Sequence, residues 1–159
     1  MSYPPDIWTA DEPAVSGRFR PAGTAPDIDR PNGNRAHYLA TGASTGGQFG
    51  LYVWEMGAGP TGPAPHFHRS ISESFYVLEG TVRLYDGVTW TDAQRGDFLF
   101  IPPGGVHAFR NESGSPASML LLFAPGAPRE EYFERVVEAA TWSEQERAEF
   151  FLRHDTYWL

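Results

Sequence analysis

Two of the five histidines in this chain lie one residue apart, at His66 and His68. On a β-strand, side chains two positions apart project from the same face, so the two imidazoles point together and Phe67 points away. Their Cα atoms would be roughly 6–7 Å apart by strand rise, a separation from which both rings can reach one metal ion with bonds of about 2.1 Å. The spacing therefore indicates metal chelation.

A carboxylate, Glu73, follows this pair but has the wrong parity for a continuous strand. It lies five positions beyond His68, so an unbroken strand would direct it to the opposite face. The stretch Arg-Ser-Ile-Ser at 69–72 offers a loop or bulge that resets the alternation. We therefore predict a break after His68 and a new strand on which Glu73, Phe75 and Val77 share a face.

A third histidine, His107, follows a sequence rich in turn residues. Residues 102–105, Pro-Pro-Gly-Gly, should end one strand and begin another, because proline and glycine fix such corners. On the outgoing strand, Phe109 and Asn111 share the face of His107. No local rule brings His107 near His66, so only the tertiary fold can join them.

These two stretches resemble the paired motifs of the cupins, small β-barrels that hold a metal inside. The first family pattern reads H-x-H, four residues, E, six residues, G. The second reads G, five residues, P-x-G, two residues, H, three residues, N. The matching positions are His66, His68, Glu73, Gly80, Gly96, Pro102, Gly104, His107 and Asn111. Fifteen residues separate Gly80 from Gly96, the short spacing typical of single-domain bacterial members.

The resemblance has one departure and a limited extent. The glycine that usually lies six positions before the first histidine is replaced by Pro60, with Gly59 and Gly62 beside it. We interpret this as a turn that is shifted in phase. The similarity is specific for residues 47–126 and says little about the two ends of the chain.

The resemblance implies an all-β fold, a cupin-type double-stranded β-helix (jelly-roll) barrel around one divalent transition metal. The four implied metal ligands are His66, His68, Glu73 and His107. Nitrogen-rich ligation disfavours Mg and Ca and permits Fe, Mn, Co, Ni, Cu or Zn. Glu73 has two open roles, as a ligand or as a catalytic general base. Phe75 and Phe109 share faces with the ligands and either bind substrate or fill the core.

The similarity is greatest to small cupins of the quercetin-dioxygenase-like group. It favours a metal-dependent dioxygenase that acts on a small oxygenated substrate, such as a flavonol, catechol or enediol. The same barrel hosts isomerases, cyclases, lyases and decarboxylases with nearly the same ligands, so these activities stay open. A non-catalytic barrel that binds a small molecule also stays open. The C-terminal segment is too short for a helix-turn-helix with its partner helices, which disfavours a DNA-binding regulator.

Short strands must position these side chains. Apolar runs alternate with turn residues through segment 36–126, as in a sandwich or barrel. The predicted strands are 36–40, 47–56, 64–68, 73–79, 81–85, 88–92, 97–101, 106–111 and 117–124. Asp86-Gly87 predicts a two-residue hairpin turn, because this pair tolerates positive φ angles. The 17 glycines and 14 prolines also favour a fold with many turns.

The segments on either side of the barrel have a different character. Residues 1–35 hold six prolines and predict an extended N-terminal arm, which is either loose or wraps the body or a second subunit. Residues 127–159 predict a short C-terminal helical tail. Its first helix starts near Pro128, and a second begins at Ser143 with a capping box to Glu146. The expected apolar face of the first helix comprises Tyr132, Phe133, Val136, Val137 and Ala140.

Charge and composition narrow the range of expected binding partners. The net charge of -8 and the lack of a Lys/Arg run argue against nucleic acid. The longest strongly apolar stretch, 119–124, is too short to span a bilayer, and the amino terminus lacks signal-peptide features, so we expect a cytoplasmic protein without membrane contact. With no cysteine there is no thiolate site. We expect a homodimer, the commonest soluble assembly, and we expect His37 and His154 to be packed or surface residues.

Overall fold

The computed structural model of the protein describes residues 2–159. The strands are β1 Ile28–Asp29, β2 Arg35–Ala40, β3 Gly50–Met56, β4 His66–Phe67, β5 Ser72–Glu79, β6 Thr81–Tyr85, β7 Trp90–Gln94, β8 Phe98–Ile101, β9 Ala108–Arg110, β10 Ala117–Ala124 and β11 Tyr157–Trp158. The helices are α1 Glu130–Arg135, a 3-10 helix Val136–Thr141 and α2 Glu144–Arg153. The predicted all-β barrel with a short C-terminal helical part is confirmed.

A six-stranded antiparallel sheet supplies most of the core. Its order is β1-β2-β3-β10-β5-β8, so β10 lies between β3 and β5. Every second side chain of β10 is buried because one face of this sheet packs inward. A second sheet, β7-β6-β9, adds Val82, Leu84 and Phe109 to the same apolar cluster. Side chains from both sheets therefore pack into one core inside the barrel.

Each of the nine predicted strands has a counterpart, although β3, β4, β7 and β9 start two or three residues later than predicted. For β3 and β7 the reason is local. β3 starts at Gly50 because Gly46 and Gly47 adopt positive φ angles and prolong the preceding turn. β7 starts two residues later than expected. The Asp86 carboxylate accepts hydrogen bonds from the backbone N–H groups of Val88 and Thr89, which makes the hairpin connection four residues long, 86–89. β1 and β11 were not predicted.

The helical tail follows the prediction at its second helix and departs from it at the first. Ser143 and Glu146 form the expected capping box at the start of α2. The first helix is not continuous, because α1 tightens into the 3-10 helix after Arg135. With fewer residues per turn the buried face rotates, so Ala139 is buried while Val137 is 56% exposed and Ala140 is also exposed. No helix among residues 2–159 has the length and apolar character that crossing a bilayer requires.

The predicted arm pairs with the barrel as a β-strand only at its end. Ile28 and Asp29 form β1 and pair with Ala36 and Arg35 of β2. Before this strand, the chain from residue 2 has no regular structure and leaves several large apolar side chains exposed. Met1 lies outside the described residues. Whether the arm contacts a second subunit stays a prediction.

Two glycines of the motifs test how tightly the turns are constrained. Gly80 has φ +73°, and an added Cβ would lie 2.6 Å from the Pro116 carbonyl oxygen. Gly96 has φ +94° with open space around that position. A left-handed conformation costs an alanine roughly 1–2 kcal/mol, and overpacking adds about 1–3 kcal/mol. We expect Gly80→Ala to lower the free energy of unfolding more than Gly96→Ala in urea titrations; equal losses would show that only φ matters.

Candidate metal centre

The four side chains predicted as ligands meet at one place inside the barrel. They are His66, His68, Glu73 and His107, and all four are buried. Each offers one ligand atom, and these atoms all lie within 4.8 Å of one another. Three histidine nitrogens and a carboxylate form a donor set that suits a divalent transition metal. The fold therefore joins residues that are up to 41 positions apart in the sequence, from 66 to 107.

A backbone bridge brings the two sequence motifs together. The N–H of His66 donates to the carbonyl of His107 at 3.0 Å, and the N–H of His107 donates to the carbonyl of His66 at 2.9 Å. The two imidazole centroids are consequently 4.4 Å apart. In addition, the N–H of Gly104 donates to the carbonyl of His68 at 2.6 Å, which ties the Pro-Gly turn to the first motif.

Glu73 reaches this cluster because the strand is interrupted where the parity of the motif predicts it. β4 ends at Phe67, the chain bends through residues 68–71, and β5 begins at Ser72. Glu73 then lies on the inward face of β5, in line with Phe75 and Val77, and only 4% of it is exposed. Because of this interruption, Glu73 points toward the histidine cluster although it lies an odd number of residues after His68.

Backbone carbonyls fix the tautomer of every histidine in the cluster. Nδ1 of His66 donates to the carbonyl of Ala64 at 2.9 Å, and Nδ1 of His107 donates to that of Gly105 at 2.9 Å. Nδ1 of His68 donates to the carbonyl of Asp155 at 2.6 Å. A carbonyl oxygen only accepts, so each Nδ1 must carry the proton. Each neutral ring is left with its Nε2 lone pair free, the form that ligates metal.

The contacts between the Nε2 atoms and Glu73 test whether a metal fits. Oε2 of Glu73 lies 2.8 Å from Nε2 of His107 and 3.2 Å from Nε2 of His68. With the Nδ1 protons already assigned, two acceptors would face each other across both gaps. Such a contact is favourable only with a positive charge between the atoms, either a proton or a cation. The cluster therefore fits a bound divalent ion.

The pKa values of the cluster agree with the need for a positive charge between Glu73 and the histidine Nε2 atoms. Burial alone would raise the pKa of Glu73, but His107 and His68 hold it well below its usual range. Burial opposes a charge on His107, yet the Glu73 carboxylate outweighs burial and raises the pKa of that imidazole. Burial and the neighbouring His107 lower the pKa of His66 to about 4. A proton held between His107 and Glu73 would thus compete with a metal ion for this position.

A pocket of about 220 Å³ opens beside the cluster. Glu73 and His66 form part of its wall, and most of the remainder is aromatic or aliphatic. The large apolar side chains of the wall are Trp54, Phe109, Leu121, Phe123, Tyr132, Phe133, Val136 and Trp158. A mostly apolar pocket with a few convergent polar groups is the usual form of a small-molecule site.

The two phenylalanines predicted to bind substrate have different positions. Phe109 borders the pocket and is 8% exposed. Phe75 is fully buried and packs between the rings of Phe109 and His107, at centroid distances of 5.8 and 5.9 Å. Its place behind the pocket wall suits support of the His107 ring. A direct role of either residue in substrate binding stays a prediction.

The other singled-out residues have local packing roles. The side-chain amide of Asn111 donates to the carbonyls of Gly57 and Ser115, which suits the structural role expected for it. His37 lies outside the cluster with its Nε2 3.2 Å from Glu55. His154 is buried and its ring lies 4.5 Å from that of Phe150. Neither of these histidines reaches the site.

The C-terminal tail contributes residues to the site that the sequence did not indicate. β11 pairs with β4, so Trp158 lies opposite His66 and their ring centroids are 5.0 Å apart. Asp155, held at φ +51°, presents its carbonyl to His68. Its carboxylate accepts hydrogen bonds from the backbone N–H groups of Arg69 and Ser70. The Tyr-Trp pair of β11 has β-propensity, but a two-residue strand gives no sequence signal for its partner.

Comparison with known proteins agrees with this arrangement. Residues 52–123 match the family described as the cupin domain, and that range contains all four clustered ligands. The barrel has the cupin fold. The chain is 36% identical over 102 residues to quercetin 2,3-dioxygenase of Bacillus subtilis (strain 168), which covers 59% of this chain and 28% of that protein. Overall, it spans between 28% and 53% of the length of the curated relatives it matches.

Solved structures of other proteins have the same fold. The structure of KdgF from Halomonas sp. superposes with a TM-score of 0.60 at 17% identity, over 70% of this chain and 96% of that chain. A sugar phosphate isomerase of the cupin superfamily from Silicibacter pomeroyi matches with a TM-score of 0.50 at 27% identity. That match covers 58% of this chain and 59% of the other. The jelly-roll prediction is thereby confirmed.

Removing one imidazole tests the ligand set. We expect protein purified without chelator to contain about one transition-metal ion per chain, and His107→Ala to lose nearly all of it, because the remaining ligands leave one side of the ion open. His37→Ala is the matched control, since it removes a histidine outside the cluster. Elemental analysis by mass spectrometry measures the content, and circular dichroism checks the fold. Full retention by His107→Ala would contradict the ligand set.

The tail contact gives a second test at the same site. Asp155→Gly removes the carboxylate that holds residues 69 and 70 while permitting the positive φ. Partners that orient a ligating histidine typically contribute about 10–100-fold to metal affinity, so we expect a loss in this range in competition titrations with a chromogenic chelator. Asp92→Gly, on an exposed position of β7, is the control. An unchanged affinity would show that the Asp155 carboxylate is not needed to hold His68 in place.

Proposed function

We propose that the protein is a metal-dependent dioxygenase for a small oxygenated substrate of the catechol, enediol or flavonol type. The observation that carries this proposal is the buried cluster of three imidazoles and one carboxylate at the wall of an aromatic-lined pocket. The 36% identity to a quercetin 2,3-dioxygenase across 102 residues supports it. Because that relative is much longer than the matched region, the activity is a proposal for this chain.

His66, His68 and His107 would hold the metal through Nε2, with Glu73 as the fourth ligand. The native metal would be Fe, Mn, Ni, Co, Cu or Zn. Such an ion would supply Lewis acidity toward a substrate hydroxyl and a site at which dioxygen, the oxidant, becomes reactive. The pKa of Glu73 is held well below its usual range by His107 and His68, so its carboxylate is a weak base, which favours its role as a ligand over that of a general base. Glu73→Gln separates the two roles. A variant that retains the metal but loses turnover would identify Glu73 as a general base.

The pocket wall suits the binding of a planar substrate. Phe109, Trp54 and Phe133 offer ring faces and edges against which a substrate ring can pack. Trp158 covers the imidazole of His66 from the side of the tail. These side chains would orient the substrate and keep water from the reacting oxygen atoms.

A metal-dependent isomerase is the second candidate. The 27% identity to a cupin sugar phosphate isomerase favours it, since isomerisation also uses a metal to acidify a substrate hydroxyl. A lyase, a cyclase or a binding protein without turnover would use the same four ligands. Oxygen uptake distinguishes the first proposal from all of these alternatives.

We also propose that the protein acts as a homodimer in the cytoplasm. β8 is an edge strand of the six-stranded sheet, and two of its residues, Phe98 and Phe100, are 62% and 55% exposed. Tyr76 of the neighbouring β5 is 42% exposed. Aromatic groups clustered on a sheet edge are typical of a contact surface.

A substrate panel in an oxygen electrode tests the activity. We expect metal-replete protein to consume oxygen with at least one catechol, enediol or flavonol. We expect His107→Ala to reduce the rate by about 100-fold or more, because without its metal the site lacks the group that activates the substrate oxygen. His37→Ala should retain the rate. Conversion of a substrate without oxygen uptake would favour the isomerase or lyase, and binding without conversion would favour the binding protein.

A further inference from the structure

The guanidinium of Arg129 is buried at the pocket without a carboxylate partner. Arg129 is 3% exposed, borders the pocket and lies just before α1. Its Nη1 donates to the backbone carbonyl of His154 at 2.7 Å. Among residues 2–159, no acidic group forms an ion pair with it. Burying an unpaired charge is costly, so this position calls for an explanation.

The surroundings of Arg129 stabilise the cation only in part. Its guanidinium lies over the Tyr132 ring at 4.2 Å and within 5.6 Å of the rings of Phe123 and Phe133. Cation–π contacts of this kind contribute about 0.5–2 kcal/mol each. They occupy the faces of the planar group, and at its edge Nη1 donates to the carbonyl of His154. Nε is buried and has no hydrogen-bond partner among the described residues.

A second donor in the same wall is also without a partner. The indole Nε1 of Trp158 is buried and makes no hydrogen bond within the described chain. Of the four such nitrogen atoms found there, those of Arg129 and Trp158 both border this pocket. Both groups donate only. Two unsatisfied donors in one apolar pocket predict a ligand that brings acceptor atoms.

The charges around the pocket have the same sign as these donors. Arg30 and Arg129 border it, whereas Glu73 is the only acidic residue of its wall among the described residues. Glu73 is committed to the metal cluster, in which a divalent ion with three neutral imidazoles would leave a net charge near +1. The pocket is therefore positive within a chain of net charge -8. A neutral substrate would leave this field uncompensated.

The size of the pocket limits the ligand. A cavity of about 150 Å³ holds benzene, so a pocket of about 220 Å³ accommodates one ring with its substituents. Three linked rings of a flavonol would extend well outside it. The wall of Trp54, Phe109 and Phe133 suits a flat ring.

We propose that the substrate is a single-ring or similarly small planar hydroxy acid whose carboxylate binds at the Arg129 guanidinium, in the part of the wall that Trp158 also borders. This inference rests on the proposed function in that the substrate hydroxyl is directed to the metal cluster. Arg129 and Trp158 are both in the C-terminal tail, outside the matched cupin region 52–123. The tail would therefore select the acid, and the barrel would hold the metal.

Binding of a matched pair of probes to the metal-replete protein without oxygen tests the inference. The probes are catechol and 2,3-dihydroxybenzoate, which share the hydroxyl pair and differ in the carboxylate. Isothermal calorimetry measures both dissociation constants. A hydrogen bond to a charged group contributes enough for about a tenfold or larger preference, so we expect the acid to bind at least that much more tightly. Equal affinities, or no binding of either probe at millimolar concentration, would overturn the proposal.

Variants assign the preference to its residue. We expect Arg129→Met to abolish it, Arg129→Lys to retain part of it and Trp158→Phe to reduce it. Arg147→Met removes the same charge from an exposed position of α2 and should leave it unchanged. Metal content and thermal melting verify that each variant is folded. A preference that persists in metal-replete, folded Arg129→Met would place the carboxylate elsewhere and refute the proposal.

Because calorimetry without oxygen requires no turnover, the inference and the proposed function fail separately. Tighter binding of the acid without oxygen uptake would support the Arg129 proposal and contradict the dioxygenase proposal. Oxygen uptake with neutral catechols only, and no preference for the acid, would do the reverse. If the Arg129 variants do not fold, the comparison of the two probes on the unaltered protein still decides.

Discussion

The site depends on the repulsion between histidine Nε2 lone pairs and a Glu73 carboxylate oxygen, which only a positive charge between them can offset. Each of three buried imidazoles donates a hydrogen bond from its Nδ1–H group to a backbone carbonyl and turns its Nε2 lone pair inward. There, Glu73 presents a carboxylate oxygen to two of them at 2.8 and 3.2 Å. In a medium of low dielectric this arrangement is unfavourable without a cation. The barrel thus stabilises a cluster that is complete only when a metal or a proton is present.

The remainder of the fold maintains this geometry. The backbone bridge between His66 and His107 joins the two motifs, and the bend at 68–71 turns Glu73 inward. The tail adds a further layer. β11 pairs with β4, and the carbonyl of Asp155 accepts from His68. The tail also contributes Arg129 and Trp158 to the pocket wall. The same segment that orients His68 in the cluster therefore carries the residues proposed to select the substrate.

The sequence predicted the parts of the site that obey local rules. The parity of the H-x-H-x4-E spacing foretold the interruption before Glu73, and turn residues marked each strand of the barrel except β1 and β11. The position of His107 came only from the resemblance to cupins, since no local rule joins it to His66. The contribution of the tail was not predicted. The pairing of the short strand β11 and the burial of Arg129 without an ion-pair partner both depend on the tertiary structure. The first tail helix was extended too far, because its 3.6-residue periodicity gave no sign of the change to a 3-10 helix at Val136.

Anomalous diffraction from crystals of the protein purified without chelator tests the central claim most directly. The account predicts one strong anomalous peak inside the barrel, within coordination distance of Nε2 of His66, His68 and His107 and of the Glu73 carboxylate. The absorption edge would identify the element. A peak at another position, or an imidazole of His107 directed away from the other two in a crystal that contains the metal, would contradict the account.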